Sequence, residues 1–264
     1  MSNHRNLQLH IDGHVAHLTF NRPDAANSLN LELAEELNAA AHRLSRDSKV
    51  RAVLLSGAGR MFCAGGDLKS FAAQPPDELG HYLERVTLNL HNAISTLARM
   101  NAPVIAAVHG SAAGAGFSLV CACDFVIAAE TSRFTMAYTR AGLTPDGSST
   151  YFLPRIVGFR RALELAVLNA VLSAAEAKEL GIVTRVVPDA DLMTAATSFA
   201  AELASGATLA IGGTKRLLSA SATSTLESQM ALETFTISSI SASNDAREGM
   251  GAFIAKRPPK FTGE

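Results

Sequence analysis

The sequence predicts an α/β domain in which strands alternate with helices, followed by a last third that is mostly helical. Three observations lead to this fold class. An alternating apolar pattern at residues 7–20, with Asp12-Gly13 at its centre, is typical of a β-hairpin. Short apolar runs, each about the length of one buried strand, alternate with segments of helical periodicity. Beyond Gly158 the helical periodicity dominates.

After the hairpin, Asn30 is expected to cap a helix that runs to about Leu44, because an Asn side chain accepts hydrogen bonds from the free N–H groups of a first turn. A buried strand, a long helix and two further strands are predicted to follow, at residues 50–56, 76–100, 104–108 and 125–129. This alternation favours parallel pairing, since each helix can carry the chain back to the start of the next strand.

Helices are predicted to fill most of the remaining chain. They are expected at residues 161–169, 174–180, 192–204, 208–219 and 225–240. One strand-like run at residues 182–187 interrupts them. We therefore predict an α/β core at residues 1–200 and a C-terminal helical region at residues 201–264.

The composition argues against several classes of protein. The 264 residues include 23 Lys and Arg against 24 Asp and Glu, so no excess positive charge favours nucleic acid. No apolar segment resembles a membrane span, and the N-terminus lacks the pattern of a signal peptide. Three cysteines cannot all pair within one chain, which favours a reducing compartment. We expect a cytoplasmic protein with no nucleic-acid or membrane partner.

Two glycine-rich turns each follow a predicted strand and precede a helix. They lie at residues 61–68 and 109–117. Small residues at such a junction can present backbone N–H groups to an oxygen atom, next to the positive end of a helix. If the two turns converge, their N–H groups form an oxyanion hole, but each turn alone is equally compatible with a structural role. Neither turn matches a nucleotide-binding fingerprint, no serine lies in a nucleophile elbow, and the histidines lack metal-binding spacing.

Several motifs together carry a family resemblance. They are Asn21-Arg22-Pro23, Asn27-Ser28-Leu29, Phe62 to Leu68, Ala102 to Gly110, the glycine-alanine run that follows, Cys123-Asp124 and Leu180 to Val183. With the tail at residues 256–261, they resemble the crotonase superfamily, the enoyl-CoA hydratases and isomerases. The resemblance implies a ClpP-like spiral of ββα turns with a C-terminal helical trimerisation region, assembled as a homotrimer or a dimer of trimers. It also implies an acyl-CoA thioester substrate, with coenzyme A entering as part of that substrate and no separate cofactor.

The resemblance also assigns site residues. The thioester carbonyl is expected to bind the backbone N–H groups of Gly66 and Ala115. The residues expected along the acyl-CoA are Arg22, Ala64, Gly65, Asp67, Leu68, Tyr138, Phe253 and Lys256. The walls of the acyl pocket are expected to come from residues 70–90.

The side chains near the thioester decide which reaction is expected. Hydratases of this family use two glutamates, and those positions are occupied here by Ser118 and Tyr138, which stay neutral near pH 7, so hydration is not expected. Asp146 lies in a Pro-Asp-Gly segment, which by itself is a turn pattern. The surrounding loop, however, resembles that of Δ3-Δ2-enoyl-CoA isomerases and of the ring-epoxide isomerase branch. Asp146 is therefore expected to move a proton from C2 to C4 through a dienolate.

Two other functions remain open at this stage. Aryl-CoA dehalogenases of the superfamily use an aspartate nucleophile, an orienting tryptophan and a histidine base. Asp146 and His91 match two of these residues, but the chain has no tryptophan and Tyr138 stands in its place. A non-catalytic acyl-CoA-binding module is the other alternative, although the presence of Asp146 with both glycine turns argues against it. Cys63, beside the first turn, is expected only to pack.

Overall fold

The computed structural model describes residues 5–264. Within these residues, nine strands form two sheets. The strands are β1 (Leu7–Asp12), β2 (Val15–Phe20), β3 (Ala52–Gly57), β4 (Val104–Val108), β5 (Ser111–Ala113), β6 (Phe125–Ala129), β7 (Arg133–Thr135), β8 (Leu172–Ser173) and β9 (Arg185–Val187).

Eleven α-helices accompany the strands in the described part of the chain. They are α1 (Leu31–Ser45), α2 (Leu68–Ala72), α3 (Leu79–Arg99), α4 (Ala115–Ala122), α5 (Ser149–Val157), α6 (Phe159–Leu168), α7 (Ala174–Glu179), α8 (Leu192–Ala204), α9 (Thr208–Ser221), α10 (Leu226–Ile240) and α11 (Asn244–Ile254). The expected cap of α1 is present, because the Asn30 side chain accepts a hydrogen bond from the Leu33 N–H.

The larger sheet has the strand order β1-β2-β3-β4-β6-β9. Only β1 and β2 pair antiparallel in this sheet, and its other neighbours are parallel. The smaller sheet has the order β5-β7-β8. Because β3 and β4 are adjacent and parallel, their carboxyl ends lie at the same edge of the sheet. The two glycine-rich turns that follow these strands therefore begin side by side.

The larger sheet is buried on both faces, as expected for parallel strands covered by helices. Along β3, Val53 and Leu55 belong to the main core cluster, whereas Leu54 belongs to a second cluster that includes Phe199 of α8. The main cluster also contains Leu37 of α1. Burial on both faces explains why β3, β4 and β6 are nearly continuous apolar runs.

The prediction of an α/β domain is confirmed, with some boundaries corrected. The predicted strands at residues 104–108 and 125–129 agree with β4 and β6. The strand predicted to begin at residue 50 begins at Ala52, where the His14 carbonyl accepts from the N–H groups of both Arg51 and Ala52. The helix predicted from residue 76 begins at Leu79, after a turn in which the Pro75 carbonyl accepts from the Glu78 N–H.

The elements that the sequence did not indicate are short or interrupted. Strands β5, β7 and β8 have two or three residues each, too few for a recognisable alternation. Helix α5 contains Pro154, which interrupts its helical pattern. Helix α11, which contains Gly249 and Gly251, was also missed. The division at residues 200 and 201 stays a prediction.

The C-terminal helices leave apolar side chains exposed. Helix α10 has no buried residue, and Phe235 on this helix is 74% exposed. Trimer formation stays a prediction, for which such a surface would be suitable. Across residues 5–264, no helix combines the length and the apolarity that a membrane span requires.

Candidate active site

A cavity of about 280 Å³ lies where the two glycine-rich turns meet. Seven of the residues assigned from the sequence line it: Ala64, Gly65, Gly66, Leu68, Ala115, Tyr138 and Asp146. Its apolar wall includes Leu29, Phe71, Leu83, Val86, Leu90 and Leu143. Residues 70–90 thus contribute to the wall, as expected. The cavity is mainly apolar, with one carboxylate.

The Gly66 N–H is directed by strand-like pairing. The Leu29 N–H donates to the Gly65 carbonyl at 2.7 Å, and the Asp67 N–H donates to the Leu29 carbonyl at 2.9 Å. Peptide groups alternate in direction along such a segment, so the Gly66 N–H points away from Leu29. Among the described residues, it has no hydrogen-bond acceptor. Gly66 must also remain small, because a Cβ there would lie 2.7 Å from the Phe71 ring.

The two turns are in direct contact. A Cβ added at Gly65 would lie 2.9 Å from the Ala113 carbonyl oxygen and 3.3 Å from the Gly114 Cα. Gly65 has φ +101°, which also favours glycine. The Cys63 N–H donates to the Ser111 carbonyl at 3.1 Å, which ties the first turn to β5. The predicted convergence of the turns is therefore present.

The second free donor begins helix α4. Ala115 is the first residue of this helix, where N–H groups lack intrahelical partners and the helix dipole is positive. Within residues 5–264 its N–H has no hydrogen-bond acceptor. Gly66 and Ala115 line the same cavity, and joint binding of one carbonyl oxygen by their N–H groups stays a prediction.

Asp146 is held by a tyrosine in the same cavity. The Tyr138 hydroxyl donates to Asp146 Oδ1, with 2.5 Å between the oxygens. Burial raises the pKa of the Asp146 carboxyl, while the Tyr138 hydrogen bond opposes that rise. Burial also raises the pKa of Tyr138, and the neighbouring Asp146 carboxylate raises it further. The tyrosine is therefore a neutral donor to a carboxylate that is more basic than usual.

The Nε2 atom of His91 accepts a hydrogen bond from the backbone. The Gly147 N–H donates to its Nε2 at 3.1 Å, so a neutral ring carries its proton on Nδ1. The residue is exposed and is not among those that line the cavity. The lone pair that a histidine base would use on water is already engaged. The structure therefore does not assemble the dehalogenase arrangement of aspartate and free histidine.

Arg22 and Asp67 support the first turn and do not line the cavity. They form an ion pair at 2.9 Å between Arg22 Nη2 and Asp67 Oδ2. Asp67 also caps α2 by accepting from the Ser70 N–H at 3.1 Å. Although burial opposes it, the Ser70 N–H and Arg22 lower the pKa of the Asp67 carboxyl. A contact of either residue with coenzyme A stays a prediction.

Two further residues assigned from the sequence lie outside the cavity. Phe253 is 86% exposed near the end of α11, and Lys256 follows that helix. Neither lines the cavity within the single chain described here. Their contact with coenzyme A also stays a prediction.

Cys63 packs under the second turn. It is buried, and a Cβ at Gly116 would lie 2.7 Å from the Cys63 Cβ, so the two residues are closely packed. Burial raises the pKa of Cys63 to about 12, which leaves almost no thiolate near neutral pH.

We expect the three cysteines to resist thiol reagents in the folded protein at pH 8. Burial raises the pKa of Cys121 to about 12 and also raises that of Cys123. Colourimetric titration with a disulfide reagent should detect less than one fast-reacting thiol in the native protein and three after unfolding. Rapid labelling of one native cysteine would contradict the packing role of that residue.

The sequence did not indicate the polar chain behind Asp146. Ser118 Oγ lies 2.9 Å from the Tyr138 hydroxyl, and together they extend the contact to the aspartate. Ser118 was singled out only as the replacement for a glutamate. Tyr138 was singled out as such a replacement, as a residue along the acyl-CoA and as the residue in place of the dehalogenase tryptophan. No local pattern pairs residues on α4, on the turn at Tyr138 and on the loop at Asp146, because only the fold brings them together.

Comparisons with known proteins identify the family of this chain. Residues 10–264 match the sequence profile of a family described as Enoyl-CoA hydratase/isomerase. A 1,2-epoxyphenylacetyl-CoA isomerase from Escherichia coli (strain K12) is 42% identical over 259 residues, which cover 97% of each chain. A 4-chlorobenzoyl coenzyme A dehalogenase-2 from Arthrobacter sp. is 37% identical over 227 residues, 86% of this chain and 82% of that protein.

The solved structures show the same fold. The crystal structure of an enoyl-CoA hydratase from Polaromonas sp. JS666 superposes with a TM-score of 0.90 at 33% identity. The match covers 97% of this chain and 99% of that one. It confirms the predicted fold class, a spiral α/β core followed by C-terminal helices.

Proposed function

Because this chain belongs to the enoyl-CoA hydratase/isomerase family, we propose that it is an acyl-CoA isomerase that shifts the double bond of a 3-enoyl-CoA to the 2-position. The observation that carries the proposal is the position of Asp146 in the cavity that Gly66 and Ala115 also line. One basic carboxylate opposite two free backbone donors suits transfer of a proton next to a thioester.

The reaction divides between the backbone and one side chain. The N–H groups of Gly66 and Ala115 form an oxyanion hole for the thioester oxygen, which makes the C2–H bond acidic. Asp146 takes the C2 proton, and the electron pair of that bond enters a dienolate. The same carboxylic acid then returns the proton to C4, which places the double bond between C2 and C3. No water molecule, metal ion or separate cofactor takes part in the proposed reaction.

The same site disfavours hydration. The hydratases of this family activate water with two carboxylates. The corresponding residues here, Ser118 and Tyr138, are neutral and hydrogen-bonded to each other. Asp146 is the only acidic residue among those that line the cavity in residues 5–264. A single base that gives its proton back suits an isomerase.

A second candidate is supported by one relative. The Escherichia coli protein, at 42% identity, is named as a 1,2-epoxyphenylacetyl-CoA isomerase. A ring epoxide of a phenylacetyl thioester could use the same oxyanion hole and the same Asp146. Isomerisation of an epoxide is therefore a specific alternative for this site.

A comparison of thioester substrates tests the proposal. Purified protein is given trans-3-hexenoyl-CoA, and formation of the conjugated 2-enoyl thioester is followed by its ultraviolet absorbance. We expect the 3-enoyl thioester to be converted and trans-2-hexenoyl-CoA to be hydrated at a much lower rate. 1,2-Epoxyphenylacetyl-CoA, with chromatographic detection of products, is the third substrate.

The three rates separate the functions. Efficient hydration of the 2-enoyl thioester would contradict the proposal, and turnover of the epoxide alone would favour the second candidate. Binding of all three thioesters without turnover would indicate a non-catalytic module. Release of chloride from 4-chlorobenzoyl-CoA would support the dehalogenase alternative instead.

A further inference from the structure

We infer that Tyr138, supported by Ser118, is a positioning residue that fixes one oxygen of Asp146 and leaves the other free to carry the proton. This inference rests on the proposed function of Asp146 as the proton carrier. It concerns how the carboxylate of Asp146 is kept in one orientation. The three residues come from different parts of the fold, and their contacts define a single polar chain.

The contacts fix the direction of donation along this chain. The Tyr138 hydroxyl has one hydrogen, and the 2.5 Å distance to Asp146 Oδ1 assigns that hydrogen to the carboxylate. At the 2.9 Å contact between Ser118 and Tyr138, the serine is then the donor, because its other acceptor, the Gly114 carbonyl, is more distant at 3.3 Å. A hydroxyl that receives a hydrogen bond becomes a stronger donor itself. Ser118 thus strengthens the tyrosine contact to Asp146.

Close packing also holds in place the side chains that form this polar chain. Ser118 is fully buried on α4, and a Cβ at Gly147 would lie 2.8 Å from the Ser118 Cβ. Gly147 has φ +58° and directly follows Asp146. The close packing of Gly147 against Ser118 therefore sets the distance between the loop and helix α4. Small residues at positions 118 and 147 let the loop bring Asp146 against Tyr138.

The two carboxylate oxygens of Asp146 are consequently unequal. Oδ1 accepts the Tyr138 hydrogen bond, whereas Oδ2 receives no hydrogen bond from the described residues. Oδ2 is the atom that takes the proton from C2 and returns it to C4. Rotation of the carboxylate would break the contact with Tyr138, so the free oxygen keeps its direction between the two proton transfers.

Few charged or titratable groups act on Asp146. Tyr138 reaches it from the preceding turn, and His91 acts from α3. Helix α4 contributes Ser118, and helix α5 contributes Ser149, whose hydroxyl donates to the Asp146 backbone carbonyl at 2.9 Å. Because the Tyr138 hydrogen bond lowers the pKa of the Asp146 carboxyl, its loss raises that pKa.

The test is Tyr138→Phe, with kcat/KM for trans-3-hexenoyl-CoA measured against pH. Turnover should fall about tenfold, and the acidic limb of the profile should move up by about one pH unit. Loss of a hydrogen bond to a carboxylate raises the pKa of that carboxyl by about this amount. Ser118→Ala should move the limb in the same direction by less. A merely structural role would lower the rate without moving the limb. Circular dichroism and thermal melting establish that each variant is folded.

Two further variants keep the outcomes distinct. Tyr151→Phe removes a tyrosine hydroxyl outside the cavity and should leave the profile unchanged. The turnover of Asp146→Asn is measured under the same conditions. If Asp146→Asn retains turnover, the proposed function itself fails. If Asp146→Asn is inactive but neither Tyr138→Phe nor Ser118→Ala moves the acidic limb, the positioning role is wrong and the proposed function stands.

Discussion

Replacing Asp146 with Asn is expected to lower isomerase turnover by about 10²–10⁴-fold, the usual contribution of a positioned general base. The substitution keeps the size of the side chain, and its amide oxygen can still accept from the Tyr138 hydroxyl. The affinity for acyl-CoA should therefore change little. Single-turnover kinetics with a 3-enoyl-CoA measure the first effect, and calorimetric titration with a saturated acyl-CoA measures the second.

The matched control for this variant is Asp191→Asn. Asp191 is an exposed carboxylate that does not line the cavity, so turnover should remain at the level of the unmodified protein. Asp146→Asn with more than a third of normal turnover would exclude Asp146 as the proton carrier. Loss of both turnover and acyl-CoA affinity would instead indicate that the substitution had disturbed the cavity.

Replacing Ala115 with Pro is expected to lower turnover by roughly 10²–10³-fold, the usual effect of losing one oxyanion-hole donor. Proline lacks an N–H, and the first position of a helix tolerates it well. Ala115 occupies that position in α4, and the preceding Gly114 has a non-helical conformation. The substitution thus deletes a backbone donor with little effect on helix α4 itself.

Leu226→Pro supplies the control, because Leu226 is the exposed first residue of α10 and lies outside the cavity. It should be folded and fully active. Thermal melting of both variants distinguishes a lost donor from a lost fold. A folded Ala115→Pro protein with normal turnover would show that the Ala115 N–H does not stabilise the oxyanion.

The sequence predicted the parts of the site that depend on local chemistry. The glycine-rich junctions between strands and helices indicated possible backbone donors, the family resemblance assigned Gly66 and Ala115 within them, and the structure places both residues in one cavity. The family resemblance then selected Asp146 from a segment that alone predicts only a turn. The alternation of strands and helices likewise predicted the larger sheet, since its strands have strong apolar patterns.

The rest depended on contacts between distant residues. The hydrogen bonds between Ser118, Tyr138 and Asp146 join segments whose separation in the chain carries no pattern. The short strands β5 and β7 exist because they pair with each other, not because of their own propensities. The ion pair between Arg22 and Asp67 likewise joins residues that are distant in the chain, so the sequence did not indicate it.

The pairing of Leu29 with the segment around Gly66 has a consequence for how chemistry can change on this scaffold. The proposed donor for the thioester oxygen is a main-chain atom of Gly66, oriented by two backbone hydrogen bonds with Leu29, so substitutions elsewhere in the cavity leave it in place. The side chains proposed to handle the proton, Tyr138 and Asp146, lie on other segments. Under the proposed function, activation of the substrate and choice of reaction are thus separately inheritable, and a descendant can acquire a new reaction without losing its hold on the thioester.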